Sequence, residues 1–271
     1  MEQATVSSAT PGGAQANMED LPLAPRVSIV VPALNEAGNI PLVLPRIPGE
    51  YEIVLVDGGS TDGTIEAARA CRPDARIISQ KRRGKGEAIE CGVEAATGDI
   101  VVTLDSDGSQ RPEEIRLFVD ALVAGADFVK GSRSIEGGGS TDFTPLRALG
   151  NHFLGAVANT LFGSRYSDIT YGYNAFWHSE ADTILGGGDG FEGELLMPIR
   201  ATQAELTVAE VPCQEDARIH GESNLRPFRD GWRILKMFVR ERVQHGRRLE
   251  PAQVRPAAAP AGELTLAADL A

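Results

Sequence analysis

Residues 101–110 read VVTLDSDGSQ, an apolar β-branched run that stops abruptly at two carboxylates, Asp105 and Asp107, one residue apart. A buried strand gains nothing in packing from two acids at its tip, and they repel each other unless a cation neutralises them. Hard oxygen ligands favour Mg2+ or Mn2+, and Mg2+ typically takes one or two carboxylates plus phosphate oxygens from a substrate. Asp-Ser-Asp-Gly is also ordinary turn chemistry. The rest of the chain decides between a plain loop and a metal corner.

Working outward, similar runs occur at 27–31 (VSIVV), 52–56 (EIVLV), 75–79 (ARIIS) and 127–130 (DFVK). Segments of helical character at 37–47, 62–72, 85–96 and 112–124 separate them. Asp62 is expected to cap the second of these, and Pro112 with Glu113 and Glu114 opens the fourth, which puts Pro and acids in a first turn. Strands alternating with helices of this length predict βαβ units and a mostly parallel sheet. VSIVV and EIVLV are apolar on both faces, as a sheet covered by helices on both sides requires. The second half is less regular, with helices expected at 145–162, 193–202 and 225–244 and strands at 170–177 and 204–212.

In an open parallel sheet, ligands bind beyond the carboxyl ends of the strands. The residues that follow the runs are chemical in character: PALNE (32–36), DGGSTDGT (57–64), DSDGSQ (105–110) and GSR (131–133). Asp57 ends its strand like Asp105 and is read either as a ligand for a base or ribose or as a turn acid. Gly58 and Gly59 after it allow a ligand close to the backbone. Two other matches carry less. GDGFEG (188–193) has the G-x-G-x-x-G spacing but no strand before it, and RRGKGEA (82–88) lacks the spacing of a phosphate loop. The four histidines lie far apart without metal-ligand spacing, and none is assigned a catalytic role.

The chain has 271 residues, 42% hydrophobic and 24% charged, enough for a substantial α/β core. Residues 1–25 and 250–271 are rich in Ala, Pro and Gly without apolar periodicity and are expected to be disordered tails. The domain expected between them covers 26–224. No basic residue precedes Arg26 and no apolar leader core is seen, so a secretory signal is not expected. No apolar stretch reaches the length of a membrane span. Three scattered cysteines, Cys71, Cys91 and Cys213, favour neither a disulfide framework nor a zinc site and fit a reducing cytoplasm. A net charge of −12 argues against a nucleic-acid partner.

The average charge hides a local reversal. Residues 226–248 hold eight Lys or Arg against two acids, and Leu225, Phe228, Trp232, Leu235 and Val239 fall at helical spacing. The segment 225–249 therefore describes a basic amphipathic helix. It either lies peripherally on the inner face of an anionic membrane or packs its stripe on the domain with the basic face solvated.

Taken in order, VVPALNE, VDGGSTDGT, RRGKGEA, TGDIVVTLDSDGSQRPEEI, KGSR, DITYGYNAF, GFEGELLMPIRA and RIHGESNL resemble the family 2 glycosyltransferases of the GT-A fold. Within that family they are most similar to dolichyl- or polyprenyl-phosphate mannose and glucose synthases. The resemblance runs from about residue 26 to 240. It implies a single α/β domain with a Rossmann-like nucleotide-binding, mixed but mostly parallel sheet.

It also implies roles. Pro32, Ala33, Glu36, Asp57, Lys85 and Asp105 would bind the nucleotide, with Asp105 and Asp107 at the metal and diphosphate. Arg133 and Arg218 would face anionic groups, and Arg147, Asp168 and Ser223 would serve the acceptor. Several residues depart from the family pattern: Gly58 stands where a second Asp is usual, Ser109 and Gln110 replace Gln-His, and Asn174 replaces an Arg expected near the acceptor.

The chemistry implied is inverting transfer of a hexose from a nucleoside-diphosphate sugar, of the GDP-mannose or UDP-glucose type, with Mg2+ or Mn2+ as cofactor. With a polyprenyl phosphate as acceptor no base is needed. A soluble hydroxyl acceptor needs one within hydrogen-bond reach, and Glu194 or Glu192 is the candidate. Acids at a helix start are also simply comfortable there. A non-catalytic sugar-nucleotide binder is a third reading, against which Asp105, Asp107, Arg133 and Arg218 speak. A sugar-phosphate nucleotidyltransferase lacks its glycine-rich, basic N-terminal loop here.

Overall fold

The computed structural model describes residues 24–141, 144–186, 191–221 and 227–248. The expected tails lie outside these residues except for 24–25, and Ser223 lies outside them too. In chain order the elements are β1 (Val27–Ala33), α1 (Ile40–Val43), β2 (Glu52–Asp57), α2 (Thr64–Cys71), β3 (Arg76–Ser79), α3 (Lys85–Ala95) and β4 (Ile100–Thr103). Then follow α4 (Ile115–Val123), β5 (Phe128–Ser132), β6 (Gly139–Ser140), α5 (Pro145–Phe162), β7 (Asn174–Trp177) and α6 (Ala181–Ile184). The last are α7 (Phe191–Gln203), β8 (Val208–Pro212), β9 (Gln214–Glu215) and α8 (Pro227–Arg248). Short 3-10 turns continue α1 and precede α4 and α6.

The main sheet runs β3-β2-β1-β4-β7-β5-β8. Every pairing is parallel except those of β7, which runs antiparallel to both β4 and β5. This is the mixed, mostly parallel sheet the sequence predicts. The chain leaves β1 for β2 on one side and reaches β4 on the other, so the topological switch point lies between β1 and β4. The two loops that carry PALNE and DSDG therefore face each other. A second, two-stranded sheet, β6 with β9, has no counterpart in the sequence reading, because two residues carry no periodicity.

Alternation along β1 explains its doubly apolar character. Val27, Ile29, Val31 and Ala33 enter one core layer with Leu55, Val102, Phe118 and Tyr173, while Val30 enters the opposite layer with Val56, Ile89, Phe176 and Met197. Helices cover both faces, as a sheet of this pattern demands. α3 sits so close to the sheet that Gly92 has no room for a side chain; a Cβ there would overlap the Val30 methyl groups and touch Val56. All three cysteines are free thiols.

α8 closes a third cluster by laying Ile234 and Phe238 against Ala158 of α5, Leu195 and Ile199 of α7, and Tyr166. Glu241 on the same inward face pairs with Arg200 of α7, Oε1 to Nε 3.0 Å. The sequence singled out a different stripe. Of that stripe, Trp232 and Val239 are exposed and Leu235 is half-buried, while the side chains of Leu225 and Phe228 lie outside the described residues. A 225–244 segment rich in large apolar residues has two candidate faces, and only the neighbouring helices choose between them.

Arg133, at the end of β5, is locked into the scaffold. Its guanidinium pairs with both oxygens of Asp168, at 2.6 and 3.0 Å, and with both oxygens of Glu215, each at 3.0 Å. It also lies 4.6 Å from the Tyr171 ring centroid. Asp168 is fully buried and accepts a further bond from Asn151 at 3.0 Å. Burial works against its ionisation, yet the Arg133 pairing wins and holds the carboxyl down at about 2. Asp168, expected to begin the acceptor wall, carries Arg133 here, both of its oxygens accepting from that guanidinium.

Two outcomes test this packing. Gly92→Val should destabilise the chain by roughly 1–3 kcal/mol through overpacking, read as a lower urea midpoint. Asp168→Asn should cost about 3 kcal/mol at neutral pH by leaving a buried guanidinium under-neutralised. Because the folded carboxyl sits below its ordinary 3.8, the stability it contributes is complete above that value and disappears as pH falls towards 2. Acid titration of stability should therefore be flatter in Asp168→Asn than in the parent across that window.

Candidate active site

The loops after β1 and β2 are stitched into one ledge. The Pro32 carbonyl accepts from Ser106 Oγ at 2.8 Å, and the Ala33 carbonyl accepts from the Gly58 N–H at 2.8 Å. Asn35 adopts a left-handed φ of 57°, which an Asn tolerates better than most residues. Its N–H donates to Ser60 Oγ and its Oδ1 accepts from the Thr61 N–H, both at 2.9 Å. Asp62 accepts from the N–H groups of Ala37 and Thr64 at 3.0 and 3.1 Å, so it ties the two loops together as well as supporting the start of α2. Asp57 turns its carboxylate onto its own loop, accepting from Gly59 at 3.0 Å and Ser60 at 3.2 Å. Pro32, Ala33 and Asp57 thus form a rigid floor beside the switch point.

The corner beyond β4 is held by groups from five separate segments. Asp105 Oδ1 lies 2.6 Å from Lys85 Nζ, and the same ammonium lies 2.8 Å from Glu194 Oε2. Lys85 is the first residue of α3, placed there by Gly84 at φ 119°. Glu194 comes from α7, which packs beside α3. Asp107 Oδ2 lies 2.9 Å from Arg218, whose other terminal nitrogen lies 2.8 Å from Glu36. Both aspartates are aimed by neighbours. The Asp105 N–H donates to Gln110 Oε1 at 2.9 Å, and Asp107 Oδ1 accepts from the N–H and the hydroxyl of Ser109 at 2.9 and 2.7 Å.

The segment carrying Arg218 is clamped from below. Asn39 Nδ2 donates to the His220 carbonyl at 3.2 Å, and the His220 N–H donates back to Asn39 Oδ1 at 3.0 Å. The Ile219 N–H donates to the Asp107 carbonyl at 3.2 Å. Gly108 has φ +81°, and a side chain there would overlap Ile219. Glu194 is seated in a similar way: a Cβ on Gly172 would lie 2.7 Å from its Oε1, which is buried without a hydrogen-bond partner among the described residues.

Charge decides what this corner can do. Four carboxylates, Glu36, Asp105, Asp107 and Glu194, face two cations, Lys85 and Arg218. Burial pushes the Asp105 carboxyl up to about 6, with Glu194 and Asp107 adding and Lys85 opposing. Burial alone would lower Lys85, but Asp105 and Glu194 hold it above its ordinary value. A surplus of negative charge around oxygen donors suits a divalent cation. Among the described residues no group of three or more His, Cys, Asp or Glu is placed to hold a metal on its own. The donor set fits a dication that arrives with phosphate oxygens completing its shell.

Of the residues singled out in the sequence, Glu36, Lys85, Asp105, Asp107, Glu194 and Arg218 meet in this corner. Arg133 does not, being held by Asp168 and Glu215. Arg147 lies half-buried in the first turn of α5. Ser223 and the Glu192 side chain are outside the described residues, as is most of the GDGFEG match. Asn174, where an Arg was expected, is fully buried in β7 and donates to the Gly172 carbonyl at 3.3 Å. Its register partner on β5 is Lys130, which is itself buried and donates to the Tyr171 carbonyl. Asn39 and Lys130 were missed by sequence reading, and Asn35 and Gln110 were read only as members of PALNE and DSDGSQ, since each acts through a partner remote in the chain or through a turn that no short motif declares.

The model of the family described as "Glycosyl transferase family 2" matches residues 28–179. The glycosyltransferase AglJ of Haloferax volcanii is 30% identical over 230 residues, covering 83% of this chain and 75% of that protein. A dolichyl-phosphate hexose transferase of the same organism is 33% identical over 228 residues, covering 82% of this chain and 96% of that protein. Among solved structures, the glucosyl-3-phosphoglycerate synthase of Mycobacterium tuberculosis in complex with Mn2+, UDP-glucose and phosphoglyceric acid aligns with a TM-score of 0.63 at 25% identity. That alignment covers 81% of this chain and 80% of that one. The same enzyme is also seen with Mg2+ and UDP. With the sheet order, the carboxylate corner at the switch point and these likenesses in agreement, the chain belongs to glycosyl transferase family 2, a nucleotide-sugar-dependent glycosyltransferase of the GT-A fold.

Proposed function

We propose that this glycosyltransferase moves a hexose, with inversion, from a nucleoside-diphosphate sugar of the GDP-mannose or UDP-glucose type to a polyprenyl or dolichyl phosphate. The observation that carries the reading is the likeness to a dolichyl-phosphate hexose transferase over 96% of that protein's length. Pro32, Ala33 and Asp57 floor the base and ribose pocket. Asp105 and Asp107 would hold Mg2+ or Mn2+. The metal, when bound, offsets the charge that develops on the departing diphosphate.

Lys85 keeps Asp105 and Glu194 in place, and Arg218 turns from Glu36 and Asp107 towards the diphosphate as the donor enters. Preorganised cations of this kind act where charge grows in the transition state. An anionic phosphate acceptor needs no base, which agrees with Glu194 being committed to Lys85. Arg147 and Ser223 serve the acceptor phosphate, while Arg133 acts from a distance by holding the segment after Asp168.

A second reading keeps the donor chemistry and takes a soluble hydroxyl acceptor. Two observations favour it: the likeness to an enzyme bound to phosphoglyceric acid, and the buried Asn174 in place of a cation near the acceptor. In that case Glu194, through its unpartnered Oε1, serves as the base.

Nucleotide release from UDP-glucose and GDP-mannose with MnCl2, measured with decaprenyl phosphate, with 3-phosphoglycerate and with neither, separates these readings. Release that needs the lipid is expected. Release driven by the soluble acid and indifferent to the lipid moves the assignment to the second reading, and failure to bind either donor with metal sinks both. Asp107→Asn should lower turnover roughly 100- to 1000-fold, the cost of one lost charge-stabilising contact. Near-parental rates in that variant would remove the metal role from this corner.

A further inference from the structure

α8 has two apolar faces, and the domain uses only one. Ile234, Phe238 and Glu241 point inward, with the Phe238 ring edge-on to Phe162 at 6.0 Å between centroids. Turned away from the domain are Trp232, Val239 and Val243, exposed by 60%, 58% and 50%. Their spacing of seven and four residues keeps them on one stripe. Lys236 completes the stripe, its ammonium 5.5 Å from the Trp232 ring centroid. Arg233, Arg240 and Arg242 are exposed beside it. No exposed carboxylate interrupts this face among the described side chains, because Glu241 is spent inward on Arg200.

A monomer with a solvated helix has no use for Trp and two Val in a row on its outer face. A cationic rim around an apolar stripe with Trp is the pattern of a helix lying in the plane of a bilayer surface. The rest of the molecule fixes the orientation. With a net charge of −12 overall, the protein is repelled by an anionic surface except where α8 faces it. From Trp232 to Val243 the stripe spans about 16 Å, long enough for the helix to lie flat. Among the described residues no helix is long and apolar enough to cross a membrane.

We infer that the outward face of α8 docks on an anionic phospholipid bilayer, with Trp232, Val239 and Val243 in the interface and Arg233, Lys236 and Arg240 on lipid phosphates. α8 rests on α7 through Ile234 and the Glu241–Arg200 pair, and α7 carries Glu194, so the docked helix lies one layer from the catalytic corner. The inference is argued from α8 alone and does not depend on which acceptor the enzyme uses.

The test is co-sedimentation of the full chain with phosphatidylcholine vesicles, with and without phosphatidylglycerol, in low and high NaCl, with no donor or acceptor present. Binding is expected only with phosphatidylglycerol and should weaken with salt. A blue shift of tryptophan emission should accompany it and vanish in Trp232→Phe. The triple change Arg233→Gln, Lys236→Gln, Arg240→Gln should weaken binding about a hundredfold. Val239→Ser with Val243→Ser should also weaken it, and unchanged thermal melts would show these surface variants to be folded. Equal binding to both vesicle types, or anionic binding indifferent to the triple change, would overturn the inference. So would a concentration-dependent dimer that Trp232→Ser dissolves, since the stripe would then be an interface between two copies.

Discussion

The structure turns on how like charges are tolerated at one strand end. Asp105 and Asp107 stand beyond β4 with Glu36 and Glu194 close by, and two intrachain cations, Lys85 and Arg218, keep the group from flying apart. Desolvation makes each buried carboxylate costly even beside a cation, as the raised Asp105 shows. The neutralisation is incomplete by design of the residue set. What remains is a negative corner at the switch point of the sheet, where a diphosphate could approach only together with positive charge.

Each cation comes from a different part of the chain, so the corner also reports that the fold is assembled. Lys85 requires α3 to begin where Gly84 allows it, and α3 can sit that low only because Gly92 clears Val30. Arg218 requires the segment before α8 to return across the sheet, where Asn39 clamps His220 from both sides. Glu194 requires α7 to pack beside α3. None of these elements is near another in sequence, and the ion pairs join them only once the sheet has formed.

The antiparallel strand β7 gives the site its second wall. By inserting between β4 and β5 it brings Gly172 against Glu194 and sets Asn174 opposite Lys130. A buried lysine on β5 thus stands across from Asn174, where the family resemblance led to the expectation of an Arg. Burial pulls the Lys130 ammonium down to about 8, with Asp168 and Glu194 partly restoring it. Positive charge is retained in this layer, but deep in the sheet and on a different strand.

Much of this was legible in the chain itself. Doubly apolar runs announce a sheet covered on both faces, and loops of Asp, Asn, Gly and Ser after them announce a ligand edge, because strand and turn preferences are local. DSDG and PALNE could be picked out as chemical for that reason, whereas GKG and RIHG entered only through the family resemblance. Local preference says nothing of which strand neighbours which, which face of a two-faced helix is buried, or whether an arginine meets substrate or a buried aspartate. Those questions fell to tertiary packing. Arg133 was drawn away from the corner by Asp168 and Glu215, Lys85 was drawn into it by Glu194, and α8 was turned to bury Phe238 and leave Trp232 outside. Ion pairing and burial depend on distance in space, and residues far apart along the chain carry no mark of it.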